Sequence, residues 1–179
     1  MVRNVYNAPC GELVLEVDSG RVCKCNWKID DADKPAQDRV GEASDEDLAV
    51  MKSAVSQLDE YFGGKRRTFD LPLTLSGTPF RKKVWECLLA IPYGDTMTYG
   101  EIAGRCGCAG GQRAVAQACG SNRLAILVPC HRVVTSGGGL GGYTIVNDGK
   151  EKGKRPEGLA IKQYLLSHEV RCCGIPAAR

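Results

Sequence analysis

Hydrophobic and polar positions alternate most clearly between residues 10 and 29. In 12–17, Leu13, Leu15 and Val17 alternate with Glu12, Val14 and Glu16, and VCKCNWKI at 22–29 is rich in strand formers. Asp18-Ser19-Gly20 between the two runs is turn chemistry, so the pair is read as two short strands. Residues 30–47 are acidic and polar and read as an exposed connection. The period then changes. Leu48, Met51, Val55, Leu58 and Phe62 recur every three or four positions, which predicts a helix. Ser44 is its candidate cap, with Asp47 as the partner of a capping box, and Gly63-Gly64 stops it. RRTFDLPLTLSGTP, 66–79, carries two prolines and a two-residue alternation, and reads as a linker with some extended structure.

Beyond it the pattern is mostly helical. Phe80, Val84, Cys87, Leu88 and Ile91 share one helix face, ended by Pro92 and Gly94. Thr98 and Glu101 form a second capping box, opening a short helix through Ile102 and Ala103. A glycine-rich turn, 107–111, leads to QRAVAQACG, 112–120, a compact helix of small residues. Helix, short turn and small-faced helix make a helix-turn-helix outline. Ala114, Ala116 and Ala118 would let such a face come close to a groove or to a neighbouring helix. LAILVP, 124–129, reads as a buried run that delivers Pro129-Cys130-His131-Arg132. GGGLGGY, 137–143, can pack neither as a helix nor as a central strand and reads as a mobile or tightly turned loop. Residues 147–157 are charged. A closing helix runs from about Leu159 to His168 and Glu169, with Ile161, Leu165 and Leu166 apolar.

Charge divides the chain at the same place as the pattern. Residues 1–76 hold ten Lys/Arg against fourteen Asp/Glu, and residues 77–179 hold fourteen against seven. The second part therefore has the field for a polyanion, while the first does not. No apolar run approaches the roughly 18 residues of a membrane span. The opening residues lack a signal-peptide core, so cytoplasm, or nucleus in a eukaryote, is expected. Ten cysteines in 179 residues are many. Their spacings, Cys23-x-Cys25, Cys106-x-Cys108 and the adjacent Cys172-Cys173, are not those of a structural zinc site, and only two histidines accompany them. Most read as small buried hydrophobes.

Cys130 is the exception by context. An ordinary thiol is only a few per cent ionised at neutral pH, and a cysteine becomes a nucleophile when its thiolate is stabilised. His131 and Arg132 stand beside it as candidate helpers. On the pair alone, a core cysteine beside a satisfied histidine remains the competing reading.

The longer run decides between them. NRLAILVPCHRVV, 122–134, strongly resembles the O6-alkylguanine-DNA alkyltransferases (methylated-DNA–protein-cysteine methyltransferases), whose acceptor-site motif is PCHRVV. GTPFRKKVWECLLAIPYGDTMTYGEIA, 77–103, resembles the opening of that family's catalytic domain. QRAVAQACGSN, 112–122, resembles its recognition helix and hinge, and GLAIKQYLLSHE, 158–169, its closing helix. Residues 51–72 match a more ordinary lead-in and residues 1–50 match loosely.

The resemblance implies an α+β fold: a small N-terminal α/β domain with an antiparallel sheet, 1–76, and a mainly helical, winged-helix-like DNA-binding domain, 77–179. It implies irreversible transfer of an alkyl group from O6-alkylguanine in double-stranded DNA, with O4-alkylthymine as a further candidate, to Cys130. His131 would act on the thiol through a water, polarised by Glu169. Asn122 would be the hinge. Tyr99 would contact the flipped nucleotide and donate toward guanine N3. Arg113 would enter the base stack, with Ala114 beside it on the close-approach face. The backbone at Val133 and Cys130 would read the guanine amine, and Tyr143 and Thr144 would close over the base. Some family members hold a metal in the N-terminal domain. Cys10, Cys23 and Cys25 lie in that region, but no histidine precedes residue 131, so neither a metal site nor a cofactor is expected. A monomer is expected.

The sequence departs from the family at 145–157, an inserted stretch with Lys150, Lys152, Lys154 and Arg155, and with Lys162 just beyond. Extra phosphate contacts and mobility are expected there. Two other readings stand beside this one. A lesion sensor of the same fold would lack the acceptor cysteine, and a Cys-His hydrolase would need an oxyanion site.

Overall fold

The alternating run becomes the middle strand of a three-stranded antiparallel sheet, β1 (Val2–Ala8), β2 (Gly11–Asp18) and β3 (Arg21–Trp27), ordered as in the chain. The computed structural model describes residues 1–28, 44–144 and 156–174. Its contacts divide the chain into two units, Met1–Thr74 and Leu75–Arg179. Ser19 and Gly20, with φ of 53° and 68°, make the left-handed two-residue turn that suits the twist of the β2–β3 hairpin. Leu13, Leu15 and Val17 are fully buried, but so is Val14, which the alternation had set on the polar face. β1 has no such signal, because none of its residues is fully buried and Val5 is exposed.

α1 (Asp45–Phe62) starts where Ser44 caps it, the Asp47 N–H donating to Ser44 Oγ at 3.1 Å. The return arm of the expected box is replaced. The Asp47 carboxylate instead accepts from the Gly20 N–H at 2.7 Å and pairs with the Met1 amine at 3.2 Å. These bonds turn Asp47 inward. The helix buries Met51 and Leu58 of the expected stripe together with Ala54 and Tyr61, while Val55 and Phe62 are only half-buried and Leu48 is 47% exposed. In the linker, Val22 N–H donates to the Pro72 carbonyl and Thr74 N–H to the Val22 carbonyl, so this stretch runs briefly parallel to β3.

The second unit begins with α2 (Pro79–Leu89), capped by Thr78 with proline at its first turn, and buries Val84, Trp85 and Leu88. β4 (Met97–Thr98) leads into α3 (Tyr99–Arg105), whose Thr98–Glu101 capping box is complete. α4 (Gln112–Gly120) turns Val115 and Ala118 inward and leaves Gln112, Arg113, Ala114, Ala116 and Gln117 exposed. Ala118 thus belongs to the packing face, not to the close-approach face. It meets α2, whose Trp85 Nε1–H donates to the Ala118 carbonyl at 2.9 Å. β5 (Val133–Val134) pairs in parallel with β4, Met97 opposite Val133 and Thr98 opposite Val134. α5 (Pro156–Cys172) closes the unit. Its buried residues are Gly158, Lys162, Leu165, His168 and Glu169, with Ile161 and Leu166 only half-buried.

Candidate active site

The segment between α4 and β5 is built from tight turns fastened by one amide. Leu127 N–H donates to the Ala125 carbonyl across Ile126, whose φ of 69° is a strained γ-turn conformation rare for a β-branched residue. Cys130 N–H donates to the Val128 carbonyl across Pro129 at φ −81° and ψ 62°, an inverse γ-turn that the proline ring favours. The buried side chain of Asn122 ties both turns together. Its Oδ1 accepts from Leu124 N–H at 2.9 Å, and its Nδ2 donates to the Val128 carbonyl at 2.9 Å and to Cys130 Sγ at 3.2 Å.

Cys130 is half-buried and opens a short 3-10 turn, Cys130–Arg132. Burial raises its thiol above the usual range. The Asn122 donor, the Lys162 ammonium and the backbone N–H groups of Cys130 and His131 offset that only in part. The resting group is thus a thiol whose proton must leave during any attack.

His131, fully buried, has its Nε2 2.8 Å from Glu169 Oε1. Burial lowers its pKa, with Glu169 working against that effect, so the ring is neutral. Burial alone would raise Glu169, but His131 and Arg132 more than reverse it and hold the carboxyl ionised. An ionised Glu169 calls for a proton on Nε2. That leaves Nδ1 as the basic nitrogen, buried and without a partner among the described residues.

Arg132 does not serve the thiol, as the sequence had suggested. It is drawn away by a buried carboxylate and a carbonyl: Nε and Nη2 grip Glu169 at 2.9 and 3.0 Å, and Nη1 donates to the Ile91 carbonyl at 2.7 Å. Gly94 N–H adds a further donor to Glu169 Oε2 at 3.1 Å. The cation near the thiol is Lys162, which sequence reasoning had placed with the surface charges of the insertion. It is fully buried and its ammonium donates to the carbonyls of Val133, Leu140 and Gly142. Its place on the buried stripe, between Gly158 and Leu165, was the available signal.

The β4–β5 pairing brings the start of α3 beside the segment that follows Cys130. Tyr99 lies close enough to Cys119 and Cys130 to feel both, and chiefly burial pushes its phenol up to about 12. It accepts from the Gly142 backbone, and a Cβ on the left-handed Gly141 (φ 69°) would sit 3.1 Å from the Tyr99 ring. Tyr143 is buried, and the Thr144 hydroxyl lies 3.1 Å from where a Cβ on Gly120 would stand. Cys130, His131, Glu169, Asn122 and Tyr99 are therefore gathered in one place. Val133 is joined to them through Lys162, and Tyr143 and Thr144 follow the loop that Lys162 holds. Arg113 and Ala114 stand apart on the exposed face of α4. Residues 145–155, with the mobility and phosphate contacts expected of them, lie outside the described residues. Among the described residues, no group of three or more His, Cys, Asp or Glu is disposed to hold a metal ion, and no helix is long and apolar enough to cross a membrane.

Two family models cover nearly the whole chain. Residues 1–75 match the ribonuclease-like domain of 6-O-methylguanine DNA methyltransferase, and residues 79–171 match its DNA binding domain. A constitutive methylated-DNA–protein-cysteine methyltransferase of Bacillus subtilis is 37% identical over 161 residues, 90% of each chain. A methylated-DNA–protein-cysteine methyltransferase of Mycobacterium bovis is 50% identical over 97 residues, 54% of this chain, and the match spans 59% of that relative's length. The crystal structure of Mycobacterium tuberculosis OGT in complex with DNA superposes with a TM-score of 0.74 at 33% identity, covering 98% of this chain and 95% of that one.

Proposed function

This chain belongs to the 6-O-methylguanine DNA methyltransferase family, and from that premise we propose that it repairs alkylated DNA by moving an alkyl group from guanine O6 onto Cys130, once per molecule. The observation that carries the proposal is the arrangement around one sulfur: Asn122 Nδ2 at 3.2 Å from Cys130 Sγ, in the same short turn as a neutral histidine fixed on an ionised, buried Glu169.

In the proposed reaction His131 Nδ1 takes the Cys130 proton through a water, the imidazolium that forms being stabilised by Glu169. The sulfur attacks the alkyl carbon in line, the carbon–O6 bond breaks, and a thioether forms. Negative charge develops on the departing guanine. Tyr99, which keeps its proton at neutral pH, donates to N3 as that charge grows. The thioether has no leaving group to return to, so the chain is consumed by the reaction.

An O6 inside the duplex is out of reach, so the nucleotide is turned out of the stack at a cost of a few kcal/mol, least where pairing is already damaged. The exposed face of α4, with Ala114 and Ala116 giving close approach, suits this task, and Arg113 fills the gap left by the base. The Val133 and Cys130 backbone reads the guanine amine. The Val133 carbonyl already accepts from Lys162 and keeps a second lone pair for this contact. Tyr143 and Thr144 lie in the loop that closes over the base. O4-alkylthymine presents the same alkyl–oxygen bond and is a further substrate. Residues 1–76 serve as the α/β domain and linker, and 77–179 carry the chemistry and the DNA contacts. The protein works as a monomer in the cytoplasm, or in the nucleus of a eukaryote.

The test is a duplex carrying a single O6-methylguanine with a labelled methyl group. Label should pass to the protein in proportion to protein added, then stop when each chain has reacted. Continued turnover, or transfer to a Cys130→Ser variant, would overturn the proposal.

A further inference from the structure

Outside the active site, one pair of thiols is poised to react with each other. Cys87 Sγ on α2 lies 3.5 Å from Cys106 Sγ at the C-terminal cap of α3. Cys87 is half-buried and reachable by a small oxidant, while Cys106 is only 5% exposed. Lys83, one turn before Cys87 on the same helix, supplies positive charge: its ammonium opposes the burial and the neighbouring Cys87 that push the Cys106 thiol up to about 11. The third thiol nearby, Cys108, is turned toward the Ala103 carbonyl at 3.4 Å. A disulfide needs its sulfurs at about 2.0 Å, so the bond requires the two thiols to close the remaining gap.

We infer that Cys87 and Cys106 are a reversible disulfide site, closed by hydroperoxides in the folded chain and separate from the acceptor thiol. The Cys87 thiolate attacks the peroxide. The oxygen–oxygen bond breaks, an alcohol or water leaves, and Cys87 becomes a sulfenic acid. The Cys106 thiolate then attacks that sulfur and expels hydroxide, which is protonated to water. In sum, two thiols and one hydroperoxide give a disulfide, an alcohol (or water) and water. The bond links α2 to the end of α3, directly ahead of the turn that leads into α4. It leaves Cys130, held by Asn122, outside the exchange.

The full chain carrying Cys130→Ser, so that the acceptor cannot take part, is treated with hydrogen peroxide and digested without reduction. The expected result is a loss of two hydrogens per chain, a cross-linked peptide joining Cys87 to Cys106, and recovery of both thiols with dithiothreitol. Cys108→Ser should leave that cross-link unchanged. In Cys106→Ser, Cys87 should persist as a sulfenic acid trapped by dimedone. A bond between any other pair, Cys106 with Cys108 included, or both thiols still free to alkylate after the same treatment, overturns the inference.

Discussion

Removing the Asn122 amide would strip the Leu124 N–H of its acceptor and both the Val128 carbonyl and Cys130 Sγ of a donor. An unsatisfied buried polar group costs about 1–3 kcal/mol. Misplacing a reacting atom by about 1 Å slows a reaction on the order of a hundredfold. Asn122→Ala is therefore expected to lower the unfolding midpoint modestly and to slow alkyl transfer far more than that loss explains. Single-turnover rates on O6-methylguanine duplex, measured where the variant is still folded, check this, and a wild-type rate would refute it. The proposed acceptor could be named from the sequence because a motif of consecutive residues carried it. The destination of Arg132 could not. Its guanidinium finds a carboxylate 37 positions away, and only the folded chain sets that distance.

At the scale of elements, α5 holds the site from behind. It reaches the 3-10 turn with Glu169 and the 140–142 loop with Lys162, seven residues apart on one helix face. Lys162→Met keeps the length of the side chain and removes the charge. The Val133, Leu140 and Gly142 carbonyls then lose their common donor, so the loop should exchange its amide protons faster. The Cys130 thiol should titrate at higher pH, since the ammonium now pulls it down. Hydrogen exchange and the pH dependence of Cys130 labelling would show both effects, and an unmoved thiol titration would rule out the electrostatic role. α4 makes the complementary case. Arg113→Ala should weaken duplex binding and slow transfer from duplex, while leaving reaction with the free base O6-methylguanine nearly unchanged. Equal losses on both substrates would place Arg113 elsewhere in the mechanism.

The starts of α1 and α3 followed from caps read in the sequence, Ser44 and Thr98, whereas the Thr78 cap of α2 and the start of α5 at Pro156 did not. The buried faces of the helices were harder to read. Periodicity gave α1 its length, but the inward turn of Asp47 onto Gly20 and Met1 fixed which face packs. In α5 two charged residues, Lys162 and Glu169, occupy the buried stripe, so apolar periodicity alone does not mark that face. β1 is an edge strand with little to bury, and its pattern is correspondingly faint.

For the whole molecule, the charge split visible in the sequence survives as two units of different character, acidic before the linker and basic after it. Stability should fall on both sides of neutrality. Burial lowers the folded His131 below its ordinary 6.5, and its partners lower Glu169 below 4.5. As pH drops through 6.5 and then 4.5, the unfolded chain therefore takes up protons that the folded site refuses, and stability declines. On the alkaline side, burial raises Cys10 and Cys25 to about 12 and Cys106 to about 11, against an ordinary 9.0. Above pH 9 the unfolded chain loses protons that the folded chain keeps, and stability declines again. Denaturant midpoints from pH 4 to pH 10 should trace this dome, and a midpoint still rising toward pH 4 would contradict the burial of a neutral His131 on an ionised Glu169.

The most direct test is the mass of the intact chain before and after incubation with excess duplex containing O6-methylguanine, followed by peptide mapping. The expected result is the gain of a single methyl group in place of a thiol hydrogen, on the peptide bearing Cys130 and nowhere else. An unmodified Cys130 with the lesion repaired, or a methyl group found on another of the ten cysteines, would contradict the account.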